Sequence, residues 1–385
     1  MHRSRKIVRP LIAAVFGALL VMQPAHADVT QNAVLEQYAN VVSASYGDAL
    51  AGAKELQVAI NAFVAAPSAD GLANARKAWL AARESYGQTE AFRFYGGPID
   101  DDKGPEGRIN AWPLDEAYID AIKGKPKAGI INNPKVAINA KQLSKLNERG
   151  GEENIATGWH AIEFLLWGQD FSETGPGDRP YTDYTTAPNA DRRKLYLQTV
   201  AQLLVDDLDS VAKQWTAGDK NFRSRFVAGG DNSIKKILTG IGTLSRGELA
   251  GERIEVALDT QNQEDEHSCF SDNTHRDIVT NAKGIQNVWE GRYVARDGKV
   301  VEGASLKQLV AQKDAKVADA VSADVAESVK LAEAIQAPFD REIVGKKDAA
   351  GRKRVQAVVE SLKKQAKSLV EAAKALGIKR LNTSV

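Results

Sequence analysis

The chain has 385 residues, with 51 Lys and Arg against 50 Asp and Glu, and its formal charge at pH 7 is +1. Its one cysteine, Cys269, excludes an internal disulfide. A chain of this length exceeds what a single hydrophobic core usually serves, so two domains are the default expectation.

Residues 1–27 have the features of a secretory signal peptide. Four basic residues precede an uncharged apolar run over 11–22, which is too short to span a bilayer comfortably, and Pro24-Ala-His-Ala27 provides an A-x-A cleavage site. Cleavage after Ala27 would leave 47 basic against 50 acidic residues, a formal charge of −3. We therefore expect an exported protein, in a bacterial periplasm or associated with the outer membrane, with no transmembrane segment in the mature chain. Nucleic acid is a poor candidate partner for such a mildly acidic chain.

Helical patterning dominates the mature chain. Apolar spacing predicts a helical hairpin with its break at Pro67-Ser-Ala-Asp70, and a C-terminal helix that Gly377 caps. Arg296-Asp-Gly-Lys299 predicts a small β-hairpin. The predicted helical segments, in chain order, are 31–65, 71–95, 152–167, 191–216, 245–265, 281–289 and 355–376.

A connection rich in Gly, Pro and Thr over residues 168–189 indicates a domain boundary. We therefore predict an all-α fold of two helical-bundle domains, over 28–188 and 189–385, with a minor β-hairpin in the second. Both halves have a helix pair, a loop and a helix with His near acids, which suggests duplication.

Three histidines would remain after cleavage, and each lies among possible metal ligands. His160 and Glu163 are three residues apart, so on a helix they share a face and can converge on one ion. Glu163 has apolar neighbours, and a buried carboxylate needs a cation, a donor or a proton. Gly158 allows a neighbouring backbone to approach closely. The alternative is that His160 and Glu163 only satisfy each other inside the bundle.

The other two histidines, His267 and His275, lie in a second polar segment that also contains Cys269 and Asp272. Glu264 and His267 have the Glu-x-x-His order of carboxylate-bridged metal bundles, although one such pair is not a complete site. Asp272 could equally cap the following helix, and Cys269 could be a small buried thiol.

A third group follows one helical stripe, formed by Arg83, Glu90 and Arg93. Such a stripe is usually a structural ion-pair ladder. The functional alternative is that Glu90 joins a metal shell while Arg93 holds an anionic ligand. Trp112 and Asp115 follow a polar loop and could close the same pocket. The sequence has no H-E-x-x-H, G-x-S-x-G or C-x-x-C motif.

These blocks together resemble the imelysin family. The sequence Gly158-Trp-His-Ala-Ile-Glu163 is similar to its G-x-H-x-x-E signature, and residues 266–275 resemble a second signature of one branch. The resemblance covers nearly the whole mature chain. Further similar blocks are Ala78-Trp-Leu-Ala-Ala-Arg83, Glu90-Ala-Phe-Arg93, Pro98-Ile-Asp100 and Trp112-Pro-Leu-Asp115.

The resemblance implies an exported, all-helical protein of two bundle-like domains, linked to iron acquisition, and a disputed metallopeptidase activity. It implies His160 and Glu163 as metal-site residues, with Glu90 and Asp115 as further candidate ligands. It also implies Arg93 as a site residue, which we place in the surrounding ligand pocket. The rest of that candidate pocket consists of Trp112, Gly158, His267, Cys269, Asp272 and His275.

Two functions of different classes fit these residues. A zinc peptidase needs three protein ligands, an open coordination position and a general base, and no residue is an obvious base. A protein that binds iron, zinc or an iron-containing small ligand needs only the ligands, so we favour binding. The metallopeptidase is the alternative, followed by an iron-regulated scaffold without a metal of its own. We expect no organic cofactor, and an envelope iron-uptake protein as a possible partner.

Overall fold

The computed structural model describes residues 28–383 and is almost entirely helical. The proposed signal peptide and its cleavage site lie outside the described residues. The α-helices are α1 (Gln31–Ala65), α2 (Ala69–Thr89), α3 (Glu106–Ile109), α4 (Glu116–Ile119), α5 (Gly129–Asn132), α6 (Ala140–Leu146), α7 (Gly158–Trp167), α8 (Ala190–Trp215), α9 (Phe222–Val227), α10 (Asp231–Thr243), α11 (Val256–Thr260), α12 (Thr274–Glu290), α13 (Leu306–Ala311), α14 (Ala315–Glu333), α15 (Asp340–Ile343) and α16 (Ala350–Ala375). Three 3₁₀ helices (Glu90–Phe92, Tyr181–Tyr184, Gln263–Asp265), one π-helix (Leu244–Glu255) and strands β1 (Arg292–Val294) and β2 (Val300–Glu302) complete the described elements.

Helices α1 and α2 form the predicted hairpin. The side chain of Thr30 caps α1 by accepting the N–H of Ala33, and Ser68 caps α2 by accepting the N–H of Gly71. The break between them therefore lies where the sequence places it. Helix α2 ends at Thr89, earlier than predicted, and one 3₁₀ turn follows it.

Helix α7 begins six residues later than predicted, at Gly158 rather than Glu152. The φ of Gly158 is +89°, in the left-handed region that favours glycine. A Cβ at this position would lie 2.5 Å from the carbonyl oxygen of Ile109. Gly158 thus permits the predicted close approach of a neighbouring backbone. All ten residues of α7 are buried, as expected for a helix that is apolar almost all round.

One continuous hydrophobic core joins the N-terminal and C-terminal parts of the chain, and it extends from Val34 to Ala373. Helix α1 packs against α2 and α8, and α12 packs against α2 and α14. The core does not break at residue 188, so the division into domains and their duplication stay predictions. In the described part of the chain, no helix is both long enough and apolar enough to cross a membrane.

The segment Leu244–Glu255 is a π-helix, whereas the apolar pattern predicts an α-helix over 245–265. Hydrogen bonds from residue i to i+5 widen a π-helix, so side chains five apart lie on one face. Arg253 accordingly donates to the Oε1 atom of Glu248 at 2.7 Å. The helical segment continues through α11 and ends at Thr260, before its predicted end.

The elements after residue 270 follow the predictions in part, since helices α13, α14 and α15 have no counterpart among the predicted segments. Helix α12 begins at Thr274, earlier than the predicted 281, and strands β1 and β2 pair antiparallel as the predicted hairpin. Helix α16 ends as predicted at Gly377, whose φ is +82°. The N–H groups of Gly377 and Ile378 donate to the last carbonyl groups of α16.

A buried carboxylate fixes the long connection between α7 and α8. Asp120 accepts two hydrogen bonds from Arg193 on α8, at 2.7 and 3.0 Å, and one from Arg179 in the connection, at 3.0 Å. Burial by itself would raise the pKa of Asp120. The two guanidinium groups outweigh burial and hold the pKa below its ordinary value.

We expect Asp120→Asn to lower the free energy of unfolding by about 3–5 kcal/mol at pH 7, because two buried arginines lose their anion. Since folding depresses the pKa of Asp120, its stabilisation is complete above the unfolded pKa of about 3.9 and is lost as the pH falls through the folded pKa. Urea unfolding of wild type and variant at a series of pH values measures this difference, which should shrink in acid.

The matched control is Asp183→Asn, which removes a more exposed partner of the same Arg179. We expect a change within about 1 kcal/mol for this variant. Equal losses of stability in the Asp120 and Asp183 variants would contradict the role given to Asp120.

We also expect Gly158→Ala to lower the free energy of unfolding by roughly 3 kcal/mol or more, because the side chain adds backbone strain and a clash. Gly47→Ala is the control, since a Cβ there meets nothing within 4 Å inside α1. That change should stabilise the protein by about 0.5–1 kcal/mol. Denaturant unfolding compares the two; a tolerated Gly158→Ala would show that the backbone of Ile109 can move away.

Candidate functional site

Two of the three histidines among residues 28–383 meet in the buried interior. His160 projects from α7, and His267 lies in the segment 266–273 before α12, which we call the His267 loop. Their ring centroids are 4.7 Å apart with planes inclined at 74°, and each side chain is 1% exposed. The Nε2 atom of each ring has no hydrogen-bond partner among the described residues. The structure thus brings together His160 and His267 from distant parts of the sequence.

A carboxyl group holds the other nitrogen of each ring. Nδ1 of His160 lies 2.8 Å from Oε2 of Glu163, and Nδ1 of His267 lies 2.8 Å from Oδ2 of Asp277 on α12. Metal-bound histidines usually have this arrangement, in which a carboxylate or carbonyl binds the second ring nitrogen and orients the ring. Both rings therefore have a fixed orientation, and the Nε2 atom of each has no hydrogen-bond partner in the described part of the chain.

Asp277 is held in its ionised form. Its Oδ1 atom accepts hydrogen bonds from Arg83 at 3.2 and 2.9 Å, and Oδ2 also accepts the hydroxyl of Ser268. Burial by itself would raise the pKa of Asp277, but Arg83 and the bond with His267 outweigh it and hold the pKa far below its ordinary range. Because an ionised Asp277 can only accept, Nδ1 of His267 carries a proton. A neutral His267 consequently has its lone pair on Nε2.

Glu163 has a different environment, with no arginine in direct contact. Its Oε1 atom accepts the N–H of Ser271 at 3.0 Å and the Ser271 hydroxyl at 2.7 Å. Burial raises the pKa of Glu163 to about 8, despite the bonds from Ser271. In this geometry Glu163 contacts the Nδ1 side of His160, so it orients the histidine from behind the free Nε2 atom.

Both histidines are neutral at physiological pH. Burial, together with the nearby Arg83, lowers the pKa of His160 to about 3, and burial together with Arg253 lowers the pKa of His267 to about 3. A neutral imidazole is the form that coordinates metal ions. Neither ring therefore has to lose a cationic proton before it binds a metal. At His160 the lone pair lies on Nε2 when Glu163 is ionised, because the carboxylate then accepts the ring proton at Nδ1.

Glu90, a predicted candidate ligand, lies in a buried ion-pair network. Its Oε2 atom accepts from Arg93 at 2.6 Å and from Arg253 of the π-helix at 2.6 Å. Burial alone would raise the pKa of Glu90, but these two arginines hold it well below its ordinary value. Arg93 also pairs with Glu106 at 3.0 Å. This geometry favours the ion-pair interpretation of Glu90 and Arg93 over the metal and anion alternative.

The remaining candidates occupy different places. The Trp112 ring lies 5.7 Å from that of His267 and its indole N–H donates to the Glu266 carbonyl, so Trp112 closes one side of the site. Asp115 is exposed and caps α4 by accepting the N–H of Ala117. It therefore lies apart from the two histidines.

The candidate residues of the second polar segment, which contains His267, also lie in different surroundings. Cys269 is buried, and burial raises its thiol pKa well above the ordinary value, as for a structural cysteine. The ring of His275 lies at the start of α12, where Nδ1 is 3.1 Å from the carbonyl oxygen of Asp272. The carboxyl group of Asp272 lies instead beside Asp170 and Asp340.

Several residues of the site do not stand out in the sequence. Asp277 holds His267, and Ser271 holds Glu163. Arg253 completes the ion-pair network around Glu90. Asn110 links that network to the site, since its side-chain oxygen accepts from Arg83 at 2.7 Å and its side-chain nitrogen donates to Glu90 at 3.5 Å. The polar density of residues 266–277 was a signal for Ser271 and Asp277. Arg253 and Asn110 gave no local signal, because their partners are distant in sequence.

The site offers two nitrogen donors but no complete set of three ligands. Within residues 28–383, three or more His, Cys, Asp or Glu donor atoms lie within 4.8 Å of one another in only one group, which consists of aspartates. A catalytic zinc site uses three protein ligands, so the histidine pair alone does not form one.

Comparisons with known proteins agree with this fold. Iron-regulated protein A of Synechococcus elongatus is 27% identical over 374 residues, which cover 94% of this chain and 91% of that protein.

Two crystal structures resemble this one. One is of a protein assigned as an iron-regulated protein A precursor from Parabacteroides distasonis, with a TM-score of 0.70 and 19% identity over 91% of this chain and 97% of that one. The other is of an imelysin-like protein from Psychrobacter arcticum, with a TM-score of 0.63 and 15% identity over 92% and 99% of the two chains. At these identities the likeness shows the fold alone.

The family model described as Imelysin matches residues 42–369, which is most of the sequence. The chain therefore belongs to the imelysin family.

Proposed function

We propose that this protein is an exported member of the imelysin family that binds a transition-metal ion, such as ferrous iron or zinc, through His160 and His267. One observation carries the proposal: two buried imidazole Nε2 atoms without partners belong to rings 4.7 Å apart. A buried polar atom without a partner costs about 1–3 kcal/mol. Two such atoms on neighbouring rings support a ligand that both rings bind.

The donor chemistry fits a transition metal. Imidazole nitrogen suits iron, zinc, copper and nickel, whereas magnesium and calcium prefer oxygen. The carboxyl groups of Glu163 and Asp277 would fix both rings and increase their basicity, as in known metal sites. Two protein donors leave coordination positions for water or for a small iron-containing ligand. Glu163 would thus support the metal from its position behind His160.

Iron is the ion that the relatives suggest, since the curated relative carries the name iron-regulated protein A. Export follows from the leader pattern of residues 1–27, with cleavage after Ala27. The proposal therefore places metal binding in the periplasm or at the outer membrane, where an envelope iron-uptake protein would be the partner.

A metallopeptidase is the alternative function, and no geometric observation favours it. Both histidines are buried, so a peptide bond could reach them only if the residues that cover them moved away. The third possibility, a scaffold without a metal of its own, would leave both Nε2 atoms unexplained.

Calorimetric titration of the mature protein with Zn²⁺, and with Fe²⁺ under anaerobic conditions, tests the proposal. We expect one site per chain, and at least about 100-fold weaker binding in His160→Ala and His267→Ala, because each change removes one of two nitrogen donors. His275→Ala is the control and should bind like wild type, since its ring lies outside the pair. Unchanged affinity in both site variants would refute the proposed site.

Glu163→Gln should weaken Zn²⁺ binding by about 10–100-fold, because an amide supports the His160 ring less well than a carboxylate does. Glu84→Gln, which alters a half-exposed partner of Arg276, is the control and should leave the affinity unchanged. The same titration measures both variants. A loss of more than about 1000-fold in Glu163→Gln would instead indicate that Glu163 is itself a ligand.

A further inference from the structure

Three aspartates from separate parts of the chain meet beside the His267 loop. Asp170 follows α7, Asp272 lies in the loop, and Asp340 is the first residue of α15. One carboxylate oxygen of each lies within 4.8 Å of the others, and the three residues are buried. The fold thus brings three acids into an interior position where like charges repel.

No cation in the described part of the chain balances these acids. Both oxygens of Asp272, both of Asp340 and Oδ2 of Asp170 lack a hydrogen-bond partner there. Oδ1 of Asp170 accepts the N–H of Ser172. Burying an ionised carboxylate without a cation or sufficient donors is costly.

Glu266 provides a second, independent observation. Its side chain is fully buried. Neither of its carboxylate oxygens has a hydrogen-bond partner in the described part of the chain. Its carboxyl group lies beside that of Asp340 and near that of Asp272, with the Thr274 hydroxyl also close. A fourth unpartnered acid is therefore directed into the same place.

Three other buried acids of this protein are neutralised by arginine. Arg83 pairs with Asp277, Arg193 with Asp120, and Arg253 with Glu90. The four acids beside the His267 loop have no such partner, so a missing positive charge distinguishes this cluster from the structural ion pairs.

We propose that Asp170, Asp272 and Asp340, with Glu266 beside them, form a binding site for a hard divalent cation of the calcium class. Oxygen-only donor sets select hard cations over zinc or copper. Calcium lies 2.3–2.6 Å from its oxygen ligands, so oxygens on opposite sides of one ion are roughly 5 Å apart. The separation of up to 4.8 Å between the three oxygens fits one such ion.

Two cavities lie next to residues of the cluster. Asp170 lines a cavity of about 730 Å³ together with Lys123 and Phe171, and Asp340 lines another of about 520 Å³ together with Gln263. These cavities provide access for the ion and for waters that complete the six to eight oxygen ligands of calcium.

The acidic site is separate from the histidine pair but shares its loop. Glu266 and Asp272 face the acids, whereas His267 and Ser271 contact Asp277 and Glu163, respectively. The inference does not rest on the proposed function, because the donor atoms of the two sites are different. An ion bound by the acids would fix both ends of the loop that carries His267.

Shared protons are the competing explanation. Without a cation, burial and the neighbouring Asp340 raise the pKa of Asp272 to about 8, and burial with Asp340 raises the pKa of Glu266 well above its ordinary value. Protons held between the four carboxyl groups would then offset the repulsion without any metal.

Calcium binding to the chelator-treated mature protein distinguishes the two explanations. Calorimetry should detect one Ca²⁺ per chain, and thermal unfolding should shift upward by several degrees when Ca²⁺ is in excess. Asp272→Asn and Asp340→Asn should each weaken Ca²⁺ binding at least tenfold and abolish most of the shift. Asp178→Asn, an exposed acid that pairs with Arg76, is the control and should bind like wild type.

Two further measurements separate loss of the site from loss of the fold. Without Ca²⁺, the Asp272 and Asp340 variants should be at least as stable as wild type, since each removes a repelling charge. They should also bind Zn²⁺ normally, and a His160→Ala, His267→Ala double variant should bind Ca²⁺ normally. Absence of Ca²⁺ binding by wild type, or equal binding by both aspartate variants, would overturn the inference.

Discussion

The buried ion pair between Arg83 and Asp277 joins the two parts of the chain and positions the candidate site. Arg83 of α2 lies against the rings of Trp79, Tyr86 and Trp159, and it donates to Asp277 of α12 from this apolar environment. Breaking such a pair typically costs 3–5 kcal/mol, because the remaining charge is left uncompensated. The same Asp277 fixes the ring of a histidine. Packing of α2 on α12 and orientation of a site donor therefore depend on one contact.

Buried charge separates structure from candidate function in this protein. Where a carboxylate only holds helices together, as Asp120 and Glu90 do, arginine surrounds it and lowers its pKa. Glu163 and Asp272 lack this neutralisation, and burial raises the pKa of each to about 8. A fold that supplies arginine to some buried acids and not to others leaves the latter to be stabilised by a proton or a bound ion. A buried acid without an arginine partner is thus a stronger indication of a bound ligand than a large number of acids in one place.

Local patterns predicted the helical hairpin, the C-terminal helix and the shared helix face of His160 and Glu163, because each depends on residues close in sequence. The direct contact of that pair corresponds to the alternative in which the two side chains satisfy each other. Long-range pairing was not predictable from one sequence, so the partnership of His267 with Asp277 and the contact of Arg253 with Glu90 were missed. The start of α7 was placed too early, since a periodic pattern does not reveal the φ that Gly158 adopts. Asp115 resembled a ligand by type, but the structure shows a helix cap.

The His267 loop connects the two candidate sites, because successive residues of an irregular segment can face opposite sides. Its side chains alternate between the acids, the histidine pair and the apolar interior, and no helix or strand fixes its backbone. Its position therefore depends on its side-chain contacts at both sites. A charge bound on the acidic side would restrict the backbone that carries His267, and a metal on the histidine side would restrict Asp272 in turn. Such coupling is reciprocal by thermodynamic necessity. With an ion at each site, the loop would be the physical link through which occupancy of one site changes affinity at the other.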